Sequence, residues 1–142
     1  MPVYYMNEGA FELPDASLKD RTTHVIEVTP DGHELTLVVC RATLPEGKSL
    51  RQVAQIRILD ELSRLSGYTV LEEREASWAE VPALEFTSRW RHEGRAFYQQ
   101  QAHLVLGGTW TYFALSTPFE SRAAADAWFQ RIRESLRLRS AD

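Results

Sequence analysis

A single cysteine, Cys40, stands in 142 residues, so the chain cannot close an internal disulfide. That excludes the small secreted scaffold stapled by bridges and agrees with a reducing compartment. Set in LTLVVCRA with no activating base beside it, the thiol reads as a small buried hydrophobe rather than a nucleophile. Histidine is also sparse. His24, His33, His92 and His103 show no i,i+4 pair and no cysteine at ligand spacing, so a metal centre lacks its ligand set. There is no G-x-S-x-G elbow, no phosphate-cradling glycine loop and no H-E-x-x-H. Carboxylates such as Glu27 and Glu85 fall on strand-like segments without a partner that sequence can assign as acid or base. The expectation is a protein that is not an enzyme and carries no metal, nucleotide or other cofactor.

Long hydrophobic runs are missing too. Nothing approaches the roughly 20 apolar residues of a membrane-spanning helix, and MPVYYMNEGAFELP lacks the basic and apolar regions of a secretory signal. The expected location is the cytoplasm, without stable membrane insertion. Positive charge is in deficit: 16 Lys and Arg against 20 Asp and Glu leave a net charge of −4, so no global field draws nucleic acid to the chain. No low-complexity stretch, charge block or repeat interrupts it. With 44% hydrophobic and 25% charged residues, 1–142 reads as a single ordinary globular domain with a real core.

What is present is an alternation of strands and turns. TTHVIEVT (22–29) and ELTLVVCR (34–41) are β-branched runs separated by Pro30-Asp31-Gly32-His33, which makes a hairpin. LPEGKS follows as a loop whose Ser49 caps a helix running to about Ser66, stopped by Gly67. Strands are expected over about 68–76, 81–91, 96–106 and 109–117, with Glu93-Gly94 and Gly107-Gly108 as hairpin turns. From Ser121 to Leu138, Ala125, Phe129, Ile132 and Leu136 form one apolar helical stripe beside Trp128. The basic end of that helix, Arg131, Arg133, Arg137 and Arg139, reads as a solvated complement to the helix dipole. The order ββαββββα gives an α+β fold with a largely antiparallel sheet.

Within AFYQQQAHLVL (96–106) three amides interrupt a strand, where each must find partners for two donors and an acceptor. A three-residue loop at His92-Glu93-Gly94 would pair Arg91 with Arg95 and put Leu84, Phe86 and Trp90 on the face of Gln100, Ala102 and Leu104, the expected core. Phe97, Gln99, Gln101 and His103 would then share the other face with Glu85, Thr87 and Arg89, and with Tyr112, Ala114 and Ser116, making a shallow hydrogen-bonding floor. A two-residue loop would swap the partners of 81–91. On the first reading, Gln101→Glu would leave folding nearly unchanged and act on binding. An exposed cross-strand amide ladder is the plainer account of the same residues.

On the first helix, Ala54, Leu65, Ile58 and Leu62 form an apolar stripe that continues through Gln55 to Leu59 and Ile56, with Gln52, Ser63 and Ser66 inside the extension. That arc of about 200° is wider than packing on one sheet needs. Either the helix lies between two layers or it forms one wall of a groove.

FELPDASLKDRTTHVI, LTLVVCRATLPEGKSLRQVAQI and RWRHEGRAFYQQQAHLVLGGTWTYFALSTP together resemble the DcrB-like family, whose cytoplasmic branch contains the effector-associated (Eag) chaperones of type VI secretion. The resemblance implies a curved antiparallel sheet of the Mog1/PsbP-like kind, usually a homodimer. In that branch the sheet cradles the N-terminal transmembrane helices of a PAAR-containing effector and assists its loading onto the VgrG spike. It also implies a groove lined by apolar residues with interspersed amides and hydroxyls. Such a groove suits helices rich in small residues, which pack by close backbone approach and polar contacts. Carried over to this chain, the helix-binding residues would be Gln99 and Gln101 with Phe97 on the same face, then Gln55, Leu59 and Ser63 on the first helix. Val25 and Val38 complete the set as neighbours if Pro30 and His33 close the turn; a slip of one residue would put Ile26 and Val39 there instead. A small-ligand carrier or enzyme using the same concavity is the alternative function.

Overall fold

The computed structural model describes residues 23–138, together with the backbone of 3–6 and 9–12. Residues 13–22 of the first family-like passage and Arg139 lie outside the described residues. Strands β1 (Val3–Met6) and β2 (Gly9–Glu12) pair as a small hairpin. The main sheet contains β3 (Thr23–Val28), β4 (Leu35–Thr43), β5 (Thr69–Trp78), β6 (Val81–His92), β7 (Arg95–Leu106) and β8 (Thr109–Pro118). It is antiparallel throughout, in the order β3-β4-β8-β7-β6-β5. Helix α1 (Leu50–Arg64) packs on one face and α2 (Arg122–Ser135) on the other.

The turns set which side chains meet. The Pro30–Gly32 turn closes with His33 N–H donating to the Pro30 carbonyl at 2.9 Å, and Val25 pairs with Val38 as expected. At the other end of the sheet, Gly107 and Gly108 take φ of 56° and 79°, the left-handed pair of a two-residue hairpin, so Ala102 faces Phe113 and Gln100 faces Leu115. The β6–β7 loop corrects the expectation. Glu93 and Gly94 both have positive φ, 51° and 78°, so the loop has two residues and His92 pairs with Arg95. The twist of such a turn matches that of the strands it joins. Every β6 side chain therefore sits on the face opposite to that expected. Leu84, Phe86 and Trp90 stand beside His103, Gln101 and Phe97, and Glu85 and Thr87 beside Ala102 and Gln100.

Two cores result, one on each face. Under α2, Trp78 is fully buried, stacked on Phe113 at 5.0 Å and edge-on to Phe129 at 5.2 Å, among Leu35, Ala102, Leu104, Leu115 and Ala125. Under α1, Ala54 and Ile58 meet Tyr68, Leu84 and Phe86. Ser49 and Gln52 form a reciprocal capping box at the start of α1. Replacing Ser49 by Ala should cost about 1 kcal/mol, read as a melting temperature lower by a few degrees; no shift would mean that tertiary contacts alone hold the first turn.

Glu85 is a buried carboxylate beneath α2, accepting hydrogen bonds from Trp78 Nε1 at 2.7 Å, Arg74 Nε at 2.6 Å and Arg133 at 3.1 Å. Arg133 thus belongs to an internal ion cluster, where sequence periodicity had placed it in a solvated basic end. Burial pushes the Glu85 carboxyl up, but the bonds from Trp78, Arg74 and Arg133 outweigh it and hold it below the ordinary carboxylate value. Gln100 also faces this side, donating to Asp126 at 2.7 Å and accepting from Thr87 at 2.9 Å.

Candidate functional site

On the α1 face one cross-strand row runs Val25, Val38, Ala114, Gln101, Phe86 and Glu73, from β3 at one edge to β5 at the other. The helix covers only part of it. Ala54, Ile58 and Glu61 bury the β6–β7 end, while Val25 on the edge strand stays 61% exposed and Val38 half-buried. Among the described residues the sheet face is therefore a floor with α1 as a wall along one side, open toward β4 and β3.

The amides lie at the foot of that wall and are joined in one directed chain. Trp110 Nε1 donates to His103 Nδ1 at 3.2 Å, which leaves the proton on Nε2 to donate to Gln101 Oε1 at 2.8 Å. Gln101 Nε2 donates to Gln99 Oε1 and to both oxygens of Glu61 at 2.9 Å. Gln99 Nε2 donates to Ser116 Oγ at 2.9 Å. His103 is fully buried between the rings of Tyr112, Trp110 and Phe86. Burial, then the nearby Arg57 charge, lowers its pKa to about 3, so the ring is neutral at physiological pH and the chain keeps one direction. Arg57 lies 3.3 Å from Glu61 and 5.2 Å over the Tyr112 ring. This polar chain ties α1 to β7, at residues 40 apart in sequence.

The outward surface of α1 has a different character. At about 100° per residue, Gln52, Gln55, Ile56, Leu59, Leu62 and Ser63 occupy an arc of about 120° without a charge, and all six are exposed, Leu59 at 63%. Arg51, on one flank, reaches Glu73 and Glu75 of β5; Arg57, on the other, lies over β8. Beyond Arg57 a cleft of about 500 Å³ opens over the ends of β3, β4 and β8, with Cys40, Trp110 and Tyr112 among its lining. Cys40 is half-buried there, its sulfur 3.6 Å from Thr23 Oγ1. It borders a cavity rather than filling a core, as its run of apolar neighbours had suggested.

The structure thus places Val25, Val38, Phe97, Gln99 and Gln101 on one sheet face, and Gln55, Leu59 and Ser63 on the far side of α1 from that face. Phe97 is half-buried, stacked on Trp90 at 5.7 Å. Gln101 is fully buried and Gln99 is 9% exposed, so neither amide forms an open floor; both support the wall. Sequence reasoning placed His103 and Tyr112 on the face of Gln99 and Gln101, as the structure does, but missed Glu61, Arg57 and Trp110 as parts of this assembly. For Glu61 a signal existed: it falls one turn before Leu65 and three residues after Ile58, at the edge of the apolar stripe beside Ala54. Among the described residues no three His, Cys, Asp or Glu converge as a metal site, and no helix is long and apolar enough to cross a membrane.

Comparison with known proteins places this geometry in context. The family model described as DcrB matches residues 8–135. PA94 from Pseudomonas aeruginosa, a protein of unknown function, superposes with a TM-score of 0.79 over 99% of each chain at 18% identity. LpqN, involved in cell envelope biogenesis of Mycobacterium tuberculosis, gives 0.58 over 81% of this chain and 83% of its own, at 14% identity. Cyanobacterial PsbP (CyanoP) from Synechocystis sp. PCC 6803 gives 0.59 over 91% and 98%, at 10% identity. No protein of curated function matches the sequence. At these identities the likeness is one of fold, and the fold is the expected α+β, Mog1/PsbP-like one.

Proposed function

This chain belongs to the DcrB family, and on that premise we propose that it is an effector-associated chaperone of type VI secretion. It shields the N-terminal transmembrane helices of a PAAR-containing effector in the cytoplasm until the effector is loaded onto the VgrG spike. The supporting observation is the half-covered sheet face, where Val25 is exposed and Val38 half-buried, together with a wall whose far surface is uncharged and exposes Ile56, Leu59 and Leu62. Apolar side chains gathered on exposed faces of a globular protein mark surfaces that something covers.

Val25, Val38 and Phe97 form the apolar floor for the guest, and Gln99 and Gln101 act from beneath by holding α1 upright. Gln55, Leu59 and Ser63 meet a guest segment or partner protomer passing outside α1. A helix of about 20 residues is about 30 Å long, more than one such floor shields on all sides, so the working form is a homodimer. Light scattering of the free protein and the complex measures this directly.

The test of the reading uses residues that water already reaches. Val25→Asp and Leu59→Asp should each melt within about half a kcal/mol of wild type, yet each should lower recovery of a coexpressed effector N-terminal fragment more than tenfold, because the new charge must be desolvated against apolar helix. Full recovery of the fragment by both variants would sink the chaperone assignment.

A further inference from the structure

We propose that the Arg57 cleft receives the C-terminal end of a guest helix, so that the guest lies in one direction along the floor. The proposal rests on the chaperone reading and adds polarity to it. Arg57 is two-thirds buried, and its Nε is buried without a hydrogen bond. Its contacts with Glu61 at 3.3 Å and Asp60 at 3.8 Å are ionic and not aligned as hydrogen bonds. The Tyr112 ring lies beneath the guanidinium, and the cleft opens beside it. A guanidinium carries five N–H donors and cannot lose its proton; the Nε donor is closed off beside Glu61, so the capacity left for a guest is that of the terminal nitrogens.

The surroundings select the acceptor. Among the described residues the cleft is lined by Arg57 and Arg41 and by no carboxylate, Glu61 and Asp60 lying outside it, so it favours an occupant that presents negative potential. Carbonyls with partial negative charge meet that need. The last turn of an α-helix offers them: its final four C=O groups lack partners within the helix, and the dipole leaves about half a negative charge there. A helix N-terminus would bring N–H donors and positive potential against the guanidinium. Trp110, whose Nε1 is engaged by His103, turns an apolar ring to the cleft, as suits the end of an apolar segment.

Cys40 supplies a native reporter, since it borders the same cleft. The probe is a coexpressed, cysteine-free effector N-terminal fragment given one cysteine, at either the first or the last residue of its hydrophobic helix. Treating the complexes with a short bismaleimide should link the C-terminal cysteine to Cys40 about tenfold more than the N-terminal one. Arg57→Met combined with Glu61→Gln removes the cation and its counter-charge together and should bring the two yields to about equality. Equal yields in wild type, or a preference for the N-terminal cysteine, would overturn the orientation while leaving the chaperone reading intact. A preference that survives in the double variant would overturn the role of Arg57. Cys40 linking to Cys40 of a second copy, with the guest unlinked, would assign the cleft to the interface between protomers. Failure of the wild-type protein to recover either fragment would remove the chaperone reading and this inference with it.

Discussion

Gln101→Glu is expected to unfold much of the protein at temperatures where wild type is intact. Gln101 is fully buried and its amide nitrogen serves Glu61 and Gln99 together. A glutamate there places a second carboxylate against Glu61 with no donor between them, and it takes from Gln99 Oε1 its partner. Breaking a buried polar set by removing one member costs about 3–5 kcal/mol, a large share of a total that is typically about 5–15. Two controls identify the cause. Gln99→Glu should be far milder, because an oxygen at that position already accepts from Gln101 and the other side-chain atom can accept from Ser116. Gln101→Glu combined with Glu61→Gln should recover most of the loss, since the exchanged pair again has one amide donor and one carboxylate. Thermal melts of the four proteins decide it; a Gln101→Glu melt within a degree of wild type would show that the chain does not hold α1.

That outcome reverses the effect expected from strand alternation alone, and the reason is physical. The β7–β8 register was legible, because Gly107-Gly108 allows a two-residue turn and the row from Gln100 to Leu115 follows from it. Likewise Pro30 and His33 set Val25 opposite Val38, and Ser49 with Gln52 announced the start of α1. The β6 register was not legible, because His92-Glu93-Gly94 suits loops of either length, and the contact that favours one, Phe86 under Ala54 and Ile58, joins distant parts of the chain. From Tyr98 to Leu104 every residue of β7 is buried, on both faces, so alternation carries no information about which face is open. Whether Gln101 faces a guest or a helix wall depends on where α1 lands. The carboxylate that settles it, Glu61, sits in a helix whose remaining charges are on its flanks.

Acid should weaken the fold well above the pH at which carboxylates ordinarily protonate. His103 is held neutral by burial and then by Arg57, with its pKa lowered to about 3 from an ordinary 6.5. The unfolded chain takes up this proton near pH 6.5 and the folded chain only near 3, so between those values the unfolded state binds more protons and stability falls as pH falls. At about 1.4 kcal/mol per pH unit, the loss by pH 4 is about 3 kcal/mol. Glu85 adds to it in a lower window: its folded pKa is depressed, so its contribution is complete above the ordinary carboxylate value and disappears as pH drops through the lowered one. The two are separable. A glutamine at 103 can accept from Trp110 and donate to Gln101 as the neutral ring does, but it does not titrate. Chemical denaturation at a series of pH values should show wild type losing stability steadily from pH 6.5 downward, whereas His103→Gln, whatever its stability at pH 7, should stay level to about pH 4.5 before the carboxylate window begins. A wild-type profile already flat between 6.5 and 4.5 would mean that the ring takes a proton in place, and the one-way chain from Trp110 to Glu61 would then be wrong.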